Sequence, residues 1–507
     1  MWGCLTLILL TGLVAGAIML IPVLFPRQSD NMTLGERQTL TSERIPISGG
    51  TLTVSAPGDP LDGMTLSVPE GAYDRSKSFK ITARPIEAYT FPNFNPITPL
   101  IHVDNGGAFA SEPMVLEIPI QISPDEFAMA FYYNTETGEL EGIPVADLTT
   151  DKLTIVTSHF SDLVVTKIAW ALLENVSVDT GFAPGVDDWQ FPNNGSYLAT
   201  NGQCSGQAIS AMWYYYEQRL KAGAPPLYGR FDNNDYAFDT PYLWEDDSWS
   251  YRFASMVHDT LIDWDNSSRA YFKSMGNTSD SLTWAAFVYA MLETGEPQYV
   301  AVYNPYEGHA LVVYKIEQNW LYVADPNFPG RTDRVVRIEN GQFLPYYSGA
   351  NATAISEEGE PAYPDIRYMA KSAMANWSAI GPEYEKMLKG KSGDGRFPDY
   401  KLEYLSDVNE TTGEEIWSPV PDVMELTEED TAKPGDKYRG QVVFRLTPLV
   451  GLGDVAWYLY DGTDRILSLK SSGAENQVVL PYALRSGVHH IGVEFDDYEP
   501  VFDGNPK

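Results

Sequence analysis

Two cysteines occur in 507 residues, and only Cys204 lies outside the apolar N-terminal run that holds Cys4. Lacking a soluble partner in its own chain, Cys204 cannot be half of an intrachain structural disulfide. The residues after it are amphipathic up to Ala222, with Gly223 and Pro225 beyond, and predict a helix over 205–222. A thiol at a helix N-terminus meets the positive end of the macrodipole, which favours thiolate. Its chemistry would be nucleophilic attack. The other common use of a free cysteine is as a small buried apolar filler.

A cysteine nucleophile needs a base, and the base needs a group to orient it. Between residues 176 and 390 the only histidines are His258 and His309. His258 falls in a helical run and reads as a surface or packed residue. His309 opens an apolar strand, Ala310 to Ile316, and is expected at a sheet edge facing the Cys204 helix. Gln318-Asn319 turns that strand into a second, Trp320 to Asp325, so the hairpin brings Asp325 beside His309. Asn327 is a rival orienter two residues on. Upstream, a helix is expected over 281–293, opened by Ser279 or Asp280 and closed by Gly295-Glu296-Pro297, followed by a strand at 299–303.

The run from His309 through Ile316, then Leu321-Tyr322-Val323-Ala324-Asp325-Pro326, resembles the histidine–aspartate hairpin of papain-like cysteine peptidases. It is most similar to the bacteriocin-leader-processing peptidase domain of peptide-exporting ABC transporters. The resemblance implies a papain-like domain over 176–390 with Cys204, His309 and Asp325 as its triad. Papain-like enzymes usually carry an oxyanion-hole Gln six residues before the nucleophile, where this chain has Leu198. The Cys204 backbone N–H can supply one donor, and Gln203, Asn201 and Gln190 are the candidates for a second.

The regions around this domain read as β-structure. Between residues 47 and 170, short alternating runs such as Thr51–Val54, Met64–Val68, Phe79–Thr82 and Met114–Ile118 sit between Gly, Pro and Asp turns and predict an antiparallel sandwich. Gly49-Gly50-Thr51-Leu52, Leu66 to Ala72 and Pro113 to Pro119 resemble the β-sandwich of ankyrins and netrin receptors. In some relatives of that sandwich a His-Phe-Ser tripeptide is a self-cleavage site, which would correspond here to His159, Phe160 and Ser161. Residues 391–437 read as a linker, with Leu402 to Leu405 as an edge strand, and 438–507 as an immunoglobulin-like sandwich. The expected fold is thus multidomain: an α+β papain-like centre flanked by an N-terminal β-sandwich region and a C-terminal immunoglobulin-like β-sandwich.

Residues 1–27 form an almost wholly apolar run, long enough for a membrane anchor, with Ala15-Gly16-Ala17 as the cleavage site if it is a signal sequence. Residues 28–46 read as a polar tether. Asn-x-Ser/Thr sequons at Asn31, Asn175, Asn194, Asn266, Asn277, Asn351, Asn376 and Asn409 fit a glycosylated chain on the extracellular face of a membrane, or a secreted one if the run is cleaved. A net charge of −35 argues against nucleic acid as a partner. His489-His490 lacks the further ligands a metal needs, and no organic cofactor is implied. The expected function is cleavage of peptide or protein substrates, with the acidic, aromatic segment 228–249 lining a cleft for basic or aromatic side chains. A surface adhesion or scaffold protein with an inactive centre, and an acyl-transfer enzyme of transpeptidase or transglutaminase type, are the alternatives.

Overall fold

The computed structural model describes residues 32–234, 246–262, 267–352, 362–397, 400–421, 424–425, 441–448, 454–461, 464–471, 477–481 and 489–496. The N-terminal apolar run, residues 235–245 of the acidic aromatic segment, Asn31 and Asn266 lie outside them. Among the described residues no helix is long and apolar enough to cross a membrane. The fold is mostly β-sheet, and the chain divides into two compact units.

In the first unit two antiparallel sheets form a sandwich. The six-stranded sheet runs, in spatial order, Leu140–Ile143, Glu126–Tyr133, Asp162–Ala169, Leu100–Asp104, Lys77–Arg84 and Gln38–Ile45. The five-stranded sheet runs Val145–Leu148, Lys152–Thr157, Met114–Pro119, Thr65–Val68 and Gly50–Thr53. Alternation explains the packing: Met114, Leu116 and Ile118 are buried while Val115, Glu117 and Pro119 between them are half-buried. The segment expected as a tether is instead part of the sandwich. Gln38–Ile45 is a strand paired with Lys77–Arg84, and its Thr and Ile residues supply β-propensity that the polar composition conceals.

A helix, Asp280–Thr294, joins this sandwich to a second sheet. The Ser279 hydroxyl accepts the Leu282 N–H at 3.3 Å and starts the helix, and Gly295 at φ +65° ends it. Residues from Thr283 to Met291 are all buried, so the helix is covered on all sides, with Trp284, Phe287, Val288 and Met291 among its apolar residues. One side meets Leu140–Ile143 and Val145–Leu148 of the sandwich, and the other meets Asp365–Tyr368 of the next sheet. Tyr289 is tied to Thr166 at 2.6 Å. A single apolar core therefore runs from Leu52 and Phe131 through Phe287 to Val313 and Val323.

The second sheet has Gln298–Tyr303, Gly308–Glu317 and Trp320–Ala324 at its heart, in that order, with Asp365–Tyr368 outside the first and Val335–Glu339 outside the third. Gln318 takes φ +57° to turn the hairpin. His309 opens an inner strand of this sheet, since a run as apolar as Ala310–Tyr314 needs pairing and burial on both sides. The helix bearing the thiol, Cys204–Trp213, is buried along its whole length and continues in wider π-helical turns over Tyr214–Lys221. It crosses the helix Trp249–Met256 and the turn Val257–Leu261 at Gly206.

In the second unit Glu415–Pro419, Tyr400–Val408, Gln441–Pro448 and Gln477–Pro481 form one antiparallel sheet, and Asp464–Ser471, Asp454–Asp461 and His489–Asp496 form another. Phe444 and Leu446 of the first sheet and Trp457 and Leu459 of the second share one core. The region expected as a linker thus contributes two strands. Leu402 to Leu405 lies in an inner strand, since Tyr400–Val408 pairs on both sides.

At Gly206 a Cβ would overlap the Ala254 carbonyl oxygen and stand 2.7 Å from the His258 Cβ. Gly206→Ala should therefore lower stability by about 2 kcal/mol or more through forced separation of the two helices, visible as a drop in thermal midpoint.

Candidate active site

The loop ahead of Cys204 is built to approach backbone closely. Gly202 sits at φ +118°, and a Cβ there would lie 2.9 Å from Asn193 Oδ1 and 3.0 Å from the Ala350 carbonyl. Asn193, fully buried, is the organiser. Its Oδ1 accepts the Gln203 N–H at 2.6 Å, and its Nδ2 donates to Asn327 Oδ1 and to Ala350 O, both at 3.0 Å. It thereby ties the nucleophile's loop to the loop beyond Asp325. No side chain caps the helix at Gln203, so its first-turn dipole is left to act on Cys204.

The hairpin brings His309 and Asp325 onto one face through a bulge. Glu317 pairs with Trp320, and Tyr314 is then skipped, so that Val312 pairs with Ala324. Extending that register sets Asp325 opposite Leu311, on the side of the strand that also carries His309. Without the bulge Asp325 would oppose Val312 and face away. His309 Nε2 and Asp325 Oδ1 are 2.6 Å apart, with both side chains wholly inaccessible to solvent.

A buried carboxylate needs donors on every side. Asp325 has them: the Asn327 N–H at 2.9 Å on Oδ1, and the Tyr346 hydroxyl at 2.6 Å and the Ser348 hydroxyl at 3.0 Å on Oδ2. Arg334 adds a positive charge 3.7 Å from Oδ2. Burial pushes the Asp325 carboxyl up, but the His309 charge and hydrogen bond, with these donors, hold it below the ordinary value. Burial pushes His309 down, and Asp325 and then Cys204 outweigh it, lifting the imidazole to about 10. Burial likewise pushes the Cys204 thiol up. The His309 imidazole and the Ala310 backbone bring it below its usual value. With Nε2 on Asp325, Nδ1 is the free ring nitrogen; it makes no hydrogen bond and is the one left to exchange a proton with the thiol. The arrangement is that of a thiolate–imidazolium pair backed by a carboxylate.

Of the three oxyanion candidates, Gln203 is completely buried and neither amide atom has a hydrogen-bond partner. Asn201 and Gln190 are exposed, the first accepting the Asn351 Nδ2 at its carbonyl at 3.2 Å. Asn327 is no orienter of His309; its amide is engaged with Asn193, Ser348 and Gly349. Its backbone N–H steadies Asp325 instead. His258 is buried against Gly206 and pushed down to about 4 by desolvation.

His159, Phe160 and Ser161 join two strands of the sandwich, apart from the triad. The His159 ring stacks on Tyr132 at 4.9 Å, and its Nε2 meets Ser372 Oγ at 2.8 Å. Phe160 packs edge-on against Phe79. Asn175, Asn277, Asn376 and Asn409 are exposed, and Asn194 and Asn351 are half-buried. Among the described residues no group of three or more His, Cys, Asp and Glu side chains is placed to hold a metal ion.

Sequence reasoning missed Asn193, Tyr346 and Ser348. Asn193 stands in a Pro-Asn-Asn-Gly turn, which signalled a loop and no more. Tyr346 and Ser348 lie more than 20 residues beyond Asp325 in sequence and carry no motif. No protein-family model matches the chain, and no curated protein gives a significant match.

The pair sets the pH dependence. Thiolate forms as pH rises through the lowered thiol value, and its imidazolium partner is lost only near pH 10. Cys204 alkylation by iodoacetamide should stay fast well below the free-thiol pKa of about 8.5. His309→Ala should return the profile to that of a free thiol, and Asp325→Asn should shift it in the same direction. Intact mass against pH reads both.

Proposed function

We propose that the chain is a cysteine peptidase with a papain-like central domain. The observation that carries this reading is the 2.6 Å contact of His309 Nε2 with a fully donor-clamped Asp325, and the charge of the same imidazole lowers the pKa of the thiol at a helix start. Cys204 Sγ attacks the peptide carbonyl carbon, and the carbonyl electrons move onto oxygen. His309 gives its proton to the amine nitrogen as the C–N bond breaks, leaving a thioester. His309 then takes a proton from water, whose oxygen displaces Sγ and releases the acid. Asp325 keeps the imidazole oriented through both steps.

The developing oxyanion requires donors. The Cys204 backbone N–H is one. The Gln203 amide, buried beside the nucleophile with nothing to bond, supplies the second in place of the residue that Leu198 replaces.

The flanking sandwiches, the C-terminal one immunoglobulin-like, would present the enzyme or hold its target outside the cell, tethered by residues 1–27 or secreted after their removal. The exposed sequons at Asn175, Asn277, Asn376 and Asn409 fit glycosylation there. Nucleic acid does not suit a chain of charge −35. A second reading, a binding scaffold with an idle centre, is favoured by one observation: Cys204 is only 7% exposed.

Incubation with a complex peptide library should give new N-termini that disappear in Cys204→Ala. Gln203→Ala should lower kcat on the order of a hundredfold while Cys204 alkylation persists. Absence of any cleavage with a fully reactive thiol would favour the scaffold, and cross-linked products would favour acyl transfer.

A further inference from the structure

The loop immediately before His309 has features that the triad leaves unused. Gln298–Tyr303 and Gly308–Glu317 pair as far as Tyr303 opposite Gly308, leaving Asn304-Pro305-Tyr306-Glu307 as the turn. Asn304 folds it: its Oδ1 accepts the N–H groups of Tyr306 at 2.9 Å and Glu307 at 3.1 Å, and its own N–H donates to the Glu307 carbonyl at 3.0 Å. On this ordered turn the Tyr306 side chain stands 94% exposed. Single exposed aromatics are ordinary on protein surfaces. This one has company.

Asn304 Nδ2 donates to the Ala362 carbonyl at 3.4 Å, and Ala362 pairs with Tyr347, a second tyrosine, 54% exposed. The next pair along is Tyr346 with Tyr363, and Tyr346 is the residue that bonds Asp325. The Tyr363 ring is fully buried, and burial, followed by the Glu307 charge, raises its hydroxyl above the ordinary value. Glu307, half-buried, stands two residues before His309, with an exposed tyrosine beside it and another across the Asn304–Ala362 link.

We propose that Tyr306, Glu307 and Tyr347 form a subsite selecting a basic side chain, arginine above all, close to the bond that Cys204 attacks; this rests on the peptidase reading. A guanidinium can donate in parallel to the Glu307 carboxylate while its plane lies against a tyrosine face. An apolar side chain would satisfy the tyrosines but strip water from Glu307 without replacing its hydrogen bonds. The charge of −35 draws cationic peptides toward the molecule.

The test uses the full chain and peptidyl acyloxymethyl ketones carrying arginine, norleucine or glutamate at either of the two residues before the reactive carbonyl. Alkylation at Cys204 is followed by peptide mapping, with iodoacetamide as reference. The readout is the ratio of arginine to norleucine rates within each protein, so a general change in thiol reactivity cancels. Wild type should prefer arginine by about tenfold or more, and Glu307→Gln should bring the ratio to parity. Glu307→Lys should make glutamate overtake arginine, and Tyr306→Ala should narrow the arginine preference. Parity in wild type, or a preference that survives both Glu307 substitutions, overturns the subsite. Iodoacetamide labelling at free-thiol rates in wild type overturns the peptidase reading and the subsite with it.

Discussion

A carboxylate placed out of reach of water dictates the construction of the central domain. Asp325 is fully buried, and an isolated charge there would cost far more than the domain's marginal stability could absorb. Its compensation comes from five residues: His309, Asn327, Tyr346, Ser348 and Arg334. Collecting them requires the bulge that turns Asp325 toward His309 and the return of the chain at 346–348 across the sheet. Asn327 passes the constraint on, since its side chain holds Asn193, which holds the loop before Cys204. The loop before Cys204 is thus positioned by a chain of hydrogen bonds that begins at Asp325.

This arrangement explains why the thiol can be ionised although it is buried. Desolvation alone would keep Cys204 neutral and His309 neutral. The two charged forms are mutually stabilising, and the Asp325 carboxylate makes the imidazolium the favoured state. Removing the acid would therefore disturb the thiol by way of His309.

Much of the site was legible because its parts carry local signals. Cys204 at a predicted helix start, an apolar run opened by His309 and a two-residue turn are all products of periodicity and turn chemistry, and the helix 280–294 was bounded to within a residue at each end. The face of the strand on which Asp325 would lie was not legible. It depends on one residue, Tyr314, skipped in the ladder of a largely apolar strand, and no residue type there announces a bulge. Polar strands were the other blind spot. Gln38–Ile45 and Glu415–Pro419 are held by ladders to neighbouring strands, and their composition reads as connection. Buried partners such as Asn193 and Ser348 acquire meaning only from the groups the fold sets beside them.

The helix Asp280–Thr294 bears on how such a chain could arise. Its two sides are claimed by different sheets, one of the sandwich and one of the domain that bears Cys204, and both draw on the same core. Domain shuffling works when a segment can be moved between genes and still hide its own apolar surface. Here the half with the triad, transplanted without the sandwich, would carry Tyr289, stripped of Phe127, Phe131 and Thr166, into its new setting. The sandwich and the triad-bearing sheet belong to one compact unit with one core, so they would be inherited and diversify as one piece.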